Sequence, residues 1–238
     1  DREEVYNRAL DAQVAMICVG TSEESSREAV AFAQARKNAW ATVGVHPHDV
    51  KDGFHDIGKI LATKPDKLVA VGEIGLDYFY ENSPRGMQID ALNQQLQWAL
   101  EYDLPVSFHV RDEKSGSGAV WKDFWPIVQN FSDIRGVLHS FTDTRENMEY
   151  GTSKGFYIGV NGISTFSNTN QEMWDAIPLE KIVLETDAPF LTPKPFRGIV
   201  NQPAFVKKIA EYHANRRNIS LSNMIEATTT NATKLFNI

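Results

Sequence analysis

Short apolar segments alternate with helix-length amphipathic segments along almost the whole chain of 238 residues. The segments between the apolar runs show 3.6-residue periodicity, most clearly at 24–36, 87–102 and 145–150. Repeated strand–helix order predicts right-handed βαβ units and therefore a parallel sheet. The seven predicted strands are residues 14–19, 42–45, 68–71, 106–108, 137–138, 156–158 and 182–184.

The spacing between the predicted strands bears on how the sheet closes. Successive units of about 28 residues favour a TIM-type β/α barrel over an open doubly wound sheet, which stays the alternative. An eight-unit barrel needs about 250 residues, so seven units suggest that one is missing. Residues 2–12 have helical character with no strand before them, and we expect the absent strand to be the first. No linker is evident, which predicts a single α/β domain over residues 1–238.

Composition narrows the class of protein. Hydrophobic residues make up 42% of the chain, enough for a sizeable core, and the only cysteine, Cys18, lies in an apolar segment. A buried thiol and no disulfide framework indicate a reducing compartment. No segment approaches the roughly twenty apolar residues of a membrane span, so we expect a cytoplasmic protein that does not associate with membranes.

The charge balance limits how the chain could bind a phosphate-bearing substrate. With 24 basic and 31 acidic residues, the formal net charge is -7. This argues against a protein that holds nucleic acid by a general basic surface, so phosphate must be bound locally, as a divalent cation would do. The chain contains no glycine-rich phosphate loop and no nucleophilic serine elbow, which argues against a nucleotide cofactor and a serine nucleophile.

Four potential metal ligands follow four of the predicted strands: Glu73, His109, His139 and Asp187. Because the carboxyl ends of parallel strands meet on one side of a barrel, we expect these side chains to converge. Each has an ordinary structural explanation by itself, but the set indicates a divalent metal site. Mg²⁺ is the favoured cation, and Mn²⁺ and Zn²⁺ are the alternatives.

Other polar residues at strand ends are candidates for catalysis. His46 and His48 follow a strand without acidic residues, so His46 is predicted to act as an acid, a base or a phosphate contact rather than as a ligand. Asp187 is predicted either to bind the cation or to accept a proton from the attacking water. His55 and His213 lie in polar, helical surroundings and are predicted to have no role.

Two arginines are candidates for phosphate recognition. Arg111 lies two residues after His109, and Arg197 follows Asp187 in a loop. Their planar guanidinium groups suit phosphate or carboxylate oxygens, and a surface ion pair is the competing explanation for each. Glu185 is predicted to face the barrel or to contact a residue behind the ligands.

Taken together, the motifs resemble those of the TatD-related deoxyribonucleases in order and spacing. The resemblance implies a metal-dependent hydrolase of the amidohydrolase barrel type, with nuclease activity that often releases nucleotides from a 3′ end. It places the four ligands at family metal positions and assigns substrate binding to His48, Asp77, Arg111 and Arg197. The matching segments are residues 44–48, 72–78, 109–112, 138–142, 185–189, 197–198, 201–203 and 228–232.

The chain also departs from the family pattern. Many members carry a His-x-His pair on the first strand, and nothing here supplies that first-strand pair. Gln202 stands at a commonly acidic position, and Ser140 stands where cysteine is frequent. None of these changes removes a proposed ligand, but the missing pair leaves the number of bound cations open.

The leading functional hypothesis is divalent-metal-dependent hydrolysis of phosphodiesters, as in a 3′–5′ exonuclease acting on DNA, with RNA as a second candidate substrate. Nucleic acid is then the substrate and the partner, and the sequence does not indicate an oligomeric state. One alternative is a metal-dependent esterase, amidase or aminoacyl-tRNA deacylase, since one barrel hosts many hydrolytic reactions. Another is a non-catalytic barrel that has lost part of its metal site.

Overall fold

The computed structural model describes residues 1–238 and contains seven β-strands and nine α-helices. All seven predicted strands are confirmed. The strands are β1 Met16–Val19, β2 Ala39–Val43, β3 Leu68–Asp77, β4 Val106–Arg111, β5 Gly136–Leu138, β6 Tyr157–Val160 and β7 Ile182–Leu184. The helices are α1 Arg2–Asp11, α2 Glu23–Gln34, α3 Asp56–Ala62, α4 Arg85–Glu101, α5 Ala119–Gln129, α6 Arg145–Ser153, α7 Gln171–Ala176, α8 Val206–Arg216 and α9 Leu221–Phe236.

Two strands extend beyond their apolar segments, and this corrects the predicted position of two ligands. β3 continues to Asp77 and β4 to Arg111, so Glu73 and His109 lie inside strands rather than after them. The ladder continues because Gly75 pairs with His109, and Asp77 pairs with Arg111, in parallel register. The change from apolar to polar residues in the sequence therefore does not mark the end of either strand.

Side-chain caps determine where several helices begin. Ser22 forms a capping box with Ser25 at the start of α2, and the Ser220 side chain accepts a hydrogen bond from the Asn223 amide at the start of α9. Such caps satisfy backbone N–H groups that have no partner inside the helix. The last helix therefore begins at Leu221, with Ser220 as its cap.

The chain divides into two compact units, which we call the middle unit, Ile17–Val137, and the terminal unit, Asp1–Met16 with Leu138–Ile238. In the middle unit, β3 lies between β2 and β4 and is parallel to both. Its core combines strand residues with one face of α4. The fully buried members include Val43, Val71, Ile74, Phe108, Leu92 and Leu96.

The terminal unit has its own core. β6 and β7 are parallel neighbours. The buried Asn231 of α9 donates to the carbonyls of Leu179 and Ile182, which ties the last helix to the start of β7. The buried Trp174 donates its indole N–H to the Phe141 carbonyl. A single domain over residues 1–238 stays a prediction.

Two expectations from composition concern the burial of Cys18 and the presence of a membrane-spanning helix. Cys18 is half-buried rather than buried, because every residue of β1 keeps at least partial contact with solvent. No helix combines the length and the apolar character that a bilayer crossing requires.

Candidate metal centre

Potential metal ligands gather in two groups, one in each unit. In the middle unit, the ring nitrogens of His46, His48 and His109 lie within 4.8 Å of one another. With the carboxylates of Glu73 and Asp77 they form what we call the histidine-rich cluster. In the terminal unit, ligand atoms of His139, Glu185 and Asp187 lie equally close, and we call them the carboxylate-rich cluster.

The parallel ladder between β3 and β4 places His109 between two carboxylates. Its Nδ1 lies 2.9 Å from Oε1 of Glu73, and its Nε2 lies 2.8 Å from Oδ2 of Asp77. Alternate residues of a strand point to the same side, so Glu73, Gly75 and Asp77 follow one another there. Gly75 is required because a Cβ would lie 1.8 Å from the backbone oxygen of His109. The pair of strands thus forms a two-carboxylate cradle for one imidazole.

Asp77 is the most firmly held residue of the histidine-rich cluster. Its carboxylate is fully buried, and Oδ1 accepts hydrogen bonds from the amides of Phe79 and Tyr80, both at 2.9 Å. Oδ2 contacts Nε2 of His48 at 2.9 Å as well as Nε2 of His109. Burial acts to raise the pKa of Asp77, but the bonds from His109 and the Tyr80 amide outweigh it and hold the pKa well below its usual range.

The protonation of His109 follows from this cradle. Burial disfavours the charged imidazole, but the hydrogen bonds to Asp77 and Glu73 outweigh burial and raise the pKa of His109. Without a cation, both ring nitrogens can donate to carboxylates only if the ring is protonated. A cation held by Glu73 and His109 would require Nδ1 to be unprotonated, and Nε2 could still donate to Asp77.

His46 has the opposite character. Burial lowers the pKa of His46 to about 3, and its Nδ1 accepts a hydrogen bond from the backbone amide of His48 at 3.1 Å. In a neutral ring the proton then lies on Nε2, which is 3.6 Å from Oε1 of Glu73. These contacts support a donor role for His46 more than a ligand role.

In the carboxylate-rich cluster, His139 again lies between two acidic side chains. Its Nδ1 is 3.0 Å from Oε2 of Glu185, and its Nε2 is 3.3 Å from Oδ1 of Asp187. The Ser140 amide also donates to Oε2 of Glu185, at 2.9 Å. Burial raises the pKa of Glu185, against the opposing effect of His139. Gly159 leaves the necessary space, since a Cβ there would lie 2.1 Å from Oε1 of Glu185.

Asp187 has one carboxylate oxygen occupied and one available. Oδ2 accepts a hydrogen bond of 3.1 Å from Asn161, whose amide also donates to the Ser140 hydroxyl. Oδ1 is buried and has no hydrogen-bond partner, since its contact with His139 is not aligned as a hydrogen bond. A buried carboxylate oxygen without a donor is costly unless a cation binds there.

The residues of both clusters fit a divalent cation. Neighbouring ligand atoms of an octahedral site with bonds of about 2.1 Å are about 3 Å apart. Glu73 and His109 present such a pair at 2.9 Å, and His139 and Asp187 present one at 3.3 Å. The other nitrogen of each histidine contacts a second carboxylate, the usual support for a metal-binding imidazole. Convergence of all four ligands on one cation stays a prediction.

The two predicted phosphate contacts lie in different units. The guanidinium carbon of Arg111 is 4.2 Å from the Phe79 ring centroid and 4.9 Å from that of Tyr80, beside the histidine-rich cluster. Arg197 donates to the Thr192 carbonyl at 3.0 Å and covers the Phe166 ring. Both arginines are exposed, so both can meet a substrate from solvent.

Sequence reasoning missed two supporting residues and undervalued a third. Asn161 comes directly after β6, the same strand-end signal that identified the ligands. His213 is buried, and its Nε2 lies 2.8 Å from the Ser164 hydroxyl, which itself donates to the Asn161 carbonyl. Glu185 was predicted to face the barrel or to contact a residue behind the ligands, whereas it contacts His139, a candidate ligand, directly. No sequence signal indicated that a polar helix would bury His213.

A family model described as TatD related DNase matches residues 1–237. The chain belongs to the TatD-related DNase family. The structure of YJJV, a TatD homologue from Escherichia coli, matches 100% of this chain and 92% of that chain with a TM-score of 0.89 and 28% sequence identity. This confirms the α/β class and the TIM-type barrel with parallel strands.

Two relatives of the TatD family carry informative names. A Bacillus subtilis protein, YabD, is called an uncharacterized metal-dependent hydrolase and is 32% identical over 100% of this chain and 93% of its own length. A Citrobacter rodentium protein is called 3′-5′ ssDNA/RNA exonuclease TatD and is 35% identical over 100% of this chain and 92% of its own length. The chain is therefore a member of a family of metal-dependent hydrolases. Its own His, Glu and Asp groups are positioned for metal binding.

Proposed function

We propose that this protein is a divalent-cation-dependent phosphodiesterase that removes nucleotides from the 3′ end of single-stranded DNA and also of RNA. The observation that carries the proposal is the repeated pairing of one imidazole with two carboxylates in both clusters. The name of the Citrobacter rodentium relative supports the substrate and the polarity. We retain a cytoplasmic location as part of the same proposal.

In this proposal Glu73, His109, His139 and Asp187 hold the cation. When bound, a divalent cation supplies Lewis-acid polarisation of the phosphodiester and of the attacking water. Asp77 and Glu185 keep the two imidazoles in the orientation that ligation needs. Asp77 was predicted to bind substrate, but its complete burial favours this orienting role.

The remaining residues position the reacting groups. Asn161 occupies Oδ2 of Asp187, so only Oδ1 is free to bind the cation or to accept a proton from water. His46 is neutral and carries its proton on Nε2, so it can donate a hydrogen bond to a phosphate oxygen. With its pKa lowered to about 3, it is not a general acid for the leaving group near neutral pH, and of the roles predicted for it phosphate contact is the one these contacts favour. Arg111, with Arg197, supplies positive charge for phosphate oxygens in a chain whose net charge is -7.

The test compares Glu73→Ala and His139→Ala with the wild type on a 5′-labelled single-stranded oligonucleotide and on acyl-ester and phosphomonoester substrates. We expect both variants to remain folded by circular dichroism and to lose Mg²⁺- or Mn²⁺-dependent release of nucleotides. His55→Ala, at an exposed histidine outside both clusters, is the control. Retained cation-dependent turnover in both variants, or wild-type turnover of acyl esters alone, would contradict the proposal.

A further inference from the structure

A half-exposed aromatic ring stands directly against the histidine-rich cluster. Tyr80 follows β3, and its side chain is 52% exposed. Its ring meets the His48 ring edge-to-face, with centroids 5.3 Å apart, and His48 contacts Asp77. An exposed tyrosine alone needs no explanation, but one whose ring packs against a candidate metal site does.

The position of this ring is coupled to the candidate ligands. Oδ1 of Asp77 accepts the Tyr80 amide at 2.9 Å, while Oδ2 of the same carboxylate contacts His109 at 2.8 Å. One buried carboxylate therefore orients a proposed ligand and fixes the backbone that carries the exposed ring. A group resting on Tyr80 would be held at a defined place relative to the cluster.

Positive charge lies beside the ring. The guanidinium carbon of Arg111 is 4.9 Å from the Tyr80 ring centroid, and Lys114 lies 5.2 Å from the neighbouring Phe79 ring. An aromatic face next to cations complements a nucleotide, since the base can stack on the ring while the phosphate meets the charge. Stacking does not depend on net charge, so it suits a chain with a formal charge of -7.

We propose that Tyr80 is a stacking site for one base of a single-stranded nucleic acid, with Arg111 beside it as the phosphate contact. The inference rests on the proposed nuclease function and adds how the strand is held. Every base presents a flat face, so the site accepts any sequence, whereas paired and stacked bases of a duplex cannot reach the ring. Tyr80 would thereby favour single strands over duplexes.

The experiment measures KM for single-stranded oligonucleotides with Tyr80→Ala, Tyr80→Phe and Tyr80→Trp. Aromatic stacking strengthens single-strand binding by about 5- to 150-fold per base, so Tyr80→Ala should raise KM by about tenfold or more. Phenylalanine and tryptophan keep a ring and should stay near the wild type. Leu100→Ala, which removes a 40% exposed side chain from α4, is the matched control and should change nothing.

Abasic oligonucleotides separate stacking from a merely structural role. In a series with one abasic nucleotide moved stepwise from the 3′ end, the wild type should lose affinity at one position, and there Tyr80→Ala should cause no further loss. If Tyr80 only supports Arg111, Tyr80→Ala and Arg111→Met will weaken intact and abasic strands alike, which overturns the stacking site. Cation-dependent cleavage with equal KM in all Tyr80 variants also overturns it but leaves the nuclease function intact. Absence of oligonucleotide cleavage by the wild type refutes the nuclease function, and the stacking site with it.

Discussion

The histidine-rich and carboxylate-rich clusters use the same arrangement with the two imidazole nitrogens exchanged. His109 contacts its orienting carboxylate, Asp77, through Nε2 and faces Glu73 with Nδ1. His139 contacts its orienting carboxylate, Glu185, through Nδ1 and faces Asp187 with Nε2. The comparison shows that the position of a carboxylate behind the ring, and not the residue type, selects the nitrogen available to a cation.

The two orienting carboxylates are held by different means. Asp77 lies at the end of a strand and accepts bonds from two backbone amides and two imidazoles, which lower its pKa. Glu185 accepts bonds from one amide and one imidazole, and burial raises its pKa. The first cluster is therefore built on the ladder between β3 and β4 and on a carboxylate held in its charged form, and the second on a side-chain network.

The largest expected effect tests this difference directly. Both oxygens of Asp77 accept hydrogen bonds, so Asp77→Asn, which has one acceptor oxygen, leaves either the two imidazoles or the two backbone amides without an acceptor. Glu185 uses a single oxygen for the Ser140 amide and His139, so Glu185→Gln can keep an acceptor for both. Loss of an orienting carboxylate costs about 10- to 100-fold in metal affinity, and we expect Asp77→Asn near 100-fold and Glu185→Gln near tenfold. Titration calorimetry with Mn²⁺ measures both values.

The order of the two effects decides the comparison. Equal losses would mean that backbone amides add nothing to the hold on Asp77. A larger loss of Mn²⁺ affinity in Glu185→Gln than in Asp77→Asn would mean that Glu185, and not Asp77, contributes more to orienting its imidazole. Circular dichroism on both variants excludes unfolding as the cause.

The second prediction concerns the support behind the carboxylate-rich cluster. Burial, with the nearby Arg217, lowers the pKa of His213 to about 4, against an ordinary value of 6.5. Below pH 6.5 the His213 imidazole binds a proton in the unfolded chain, but in the folded chain it stays neutral down to about pH 4. The free energy of unfolding therefore falls as the pH drops through this range. The loss attributable to His213 should reach about 2 kcal/mol between pH 7 and pH 5.

His213→Gln isolates this contribution, because glutamine can donate to Ser164 but does not titrate. Urea denaturation at several pH values should give a shallower loss of stability toward low pH than in the wild type. Parallel pH curves for the two proteins would show that His213 is not a buried neutral group. The chain of contacts from His213 through Ser164 to Asn161 would then not depend on its neutrality.

The smallest expected effect on cation affinity comes from Gly159→Ala, which removes space beside Glu185 and changes no charge. A Cβ at Gly159 would lie 2.1 Å from Oε1 of Glu185, and the flexible carboxylate must then move away from His139 and the Ser140 amide. Gly159→Ala should reduce cation affinity by up to about tenfold, since orienting contacts have about this effect. Gly86→Ala, where no atom lies within 4 Å of the new Cβ, is the control. Calorimetric affinity equal to the wild type in Gly159→Ala would show that Glu185 does not orient His139.

Much of the fold was predictable because its signals are local. Seven strands followed from short apolar segments, and α2, α4 and α6 followed from 3.6-residue periodicity. The exact length of β3 did not, since its last residues are polar and pair with β4 only in the folded chain. Half-burial of Cys18 was likewise a tertiary outcome, because coverage of β1 depends on distant segments.

The candidate site was predictable in its members and unpredictable in their roles. Glu73, His109, His139 and Asp187 are identified by chemical type and position after strands, and the clusters contain all four. The assignment of Asp77 to support rather than substrate contact depends on its complete burial. A sequence gives residue type but not the distance between side chains from separate strands.

By itself, the sequence determined the order of the seven strands, the chemical types of the candidate ligands and the family, since each of these depends on local pattern and motif. Only the tertiary structure decided which nitrogen of His109 and of His139 faces a ligand carboxylate, and that Oδ1 of Asp187 is left without a donor. The physical reason is that hydrogen bonds and burial depend on distances between residues far apart in the chain. Those distances exist only after packing has brought the strands together.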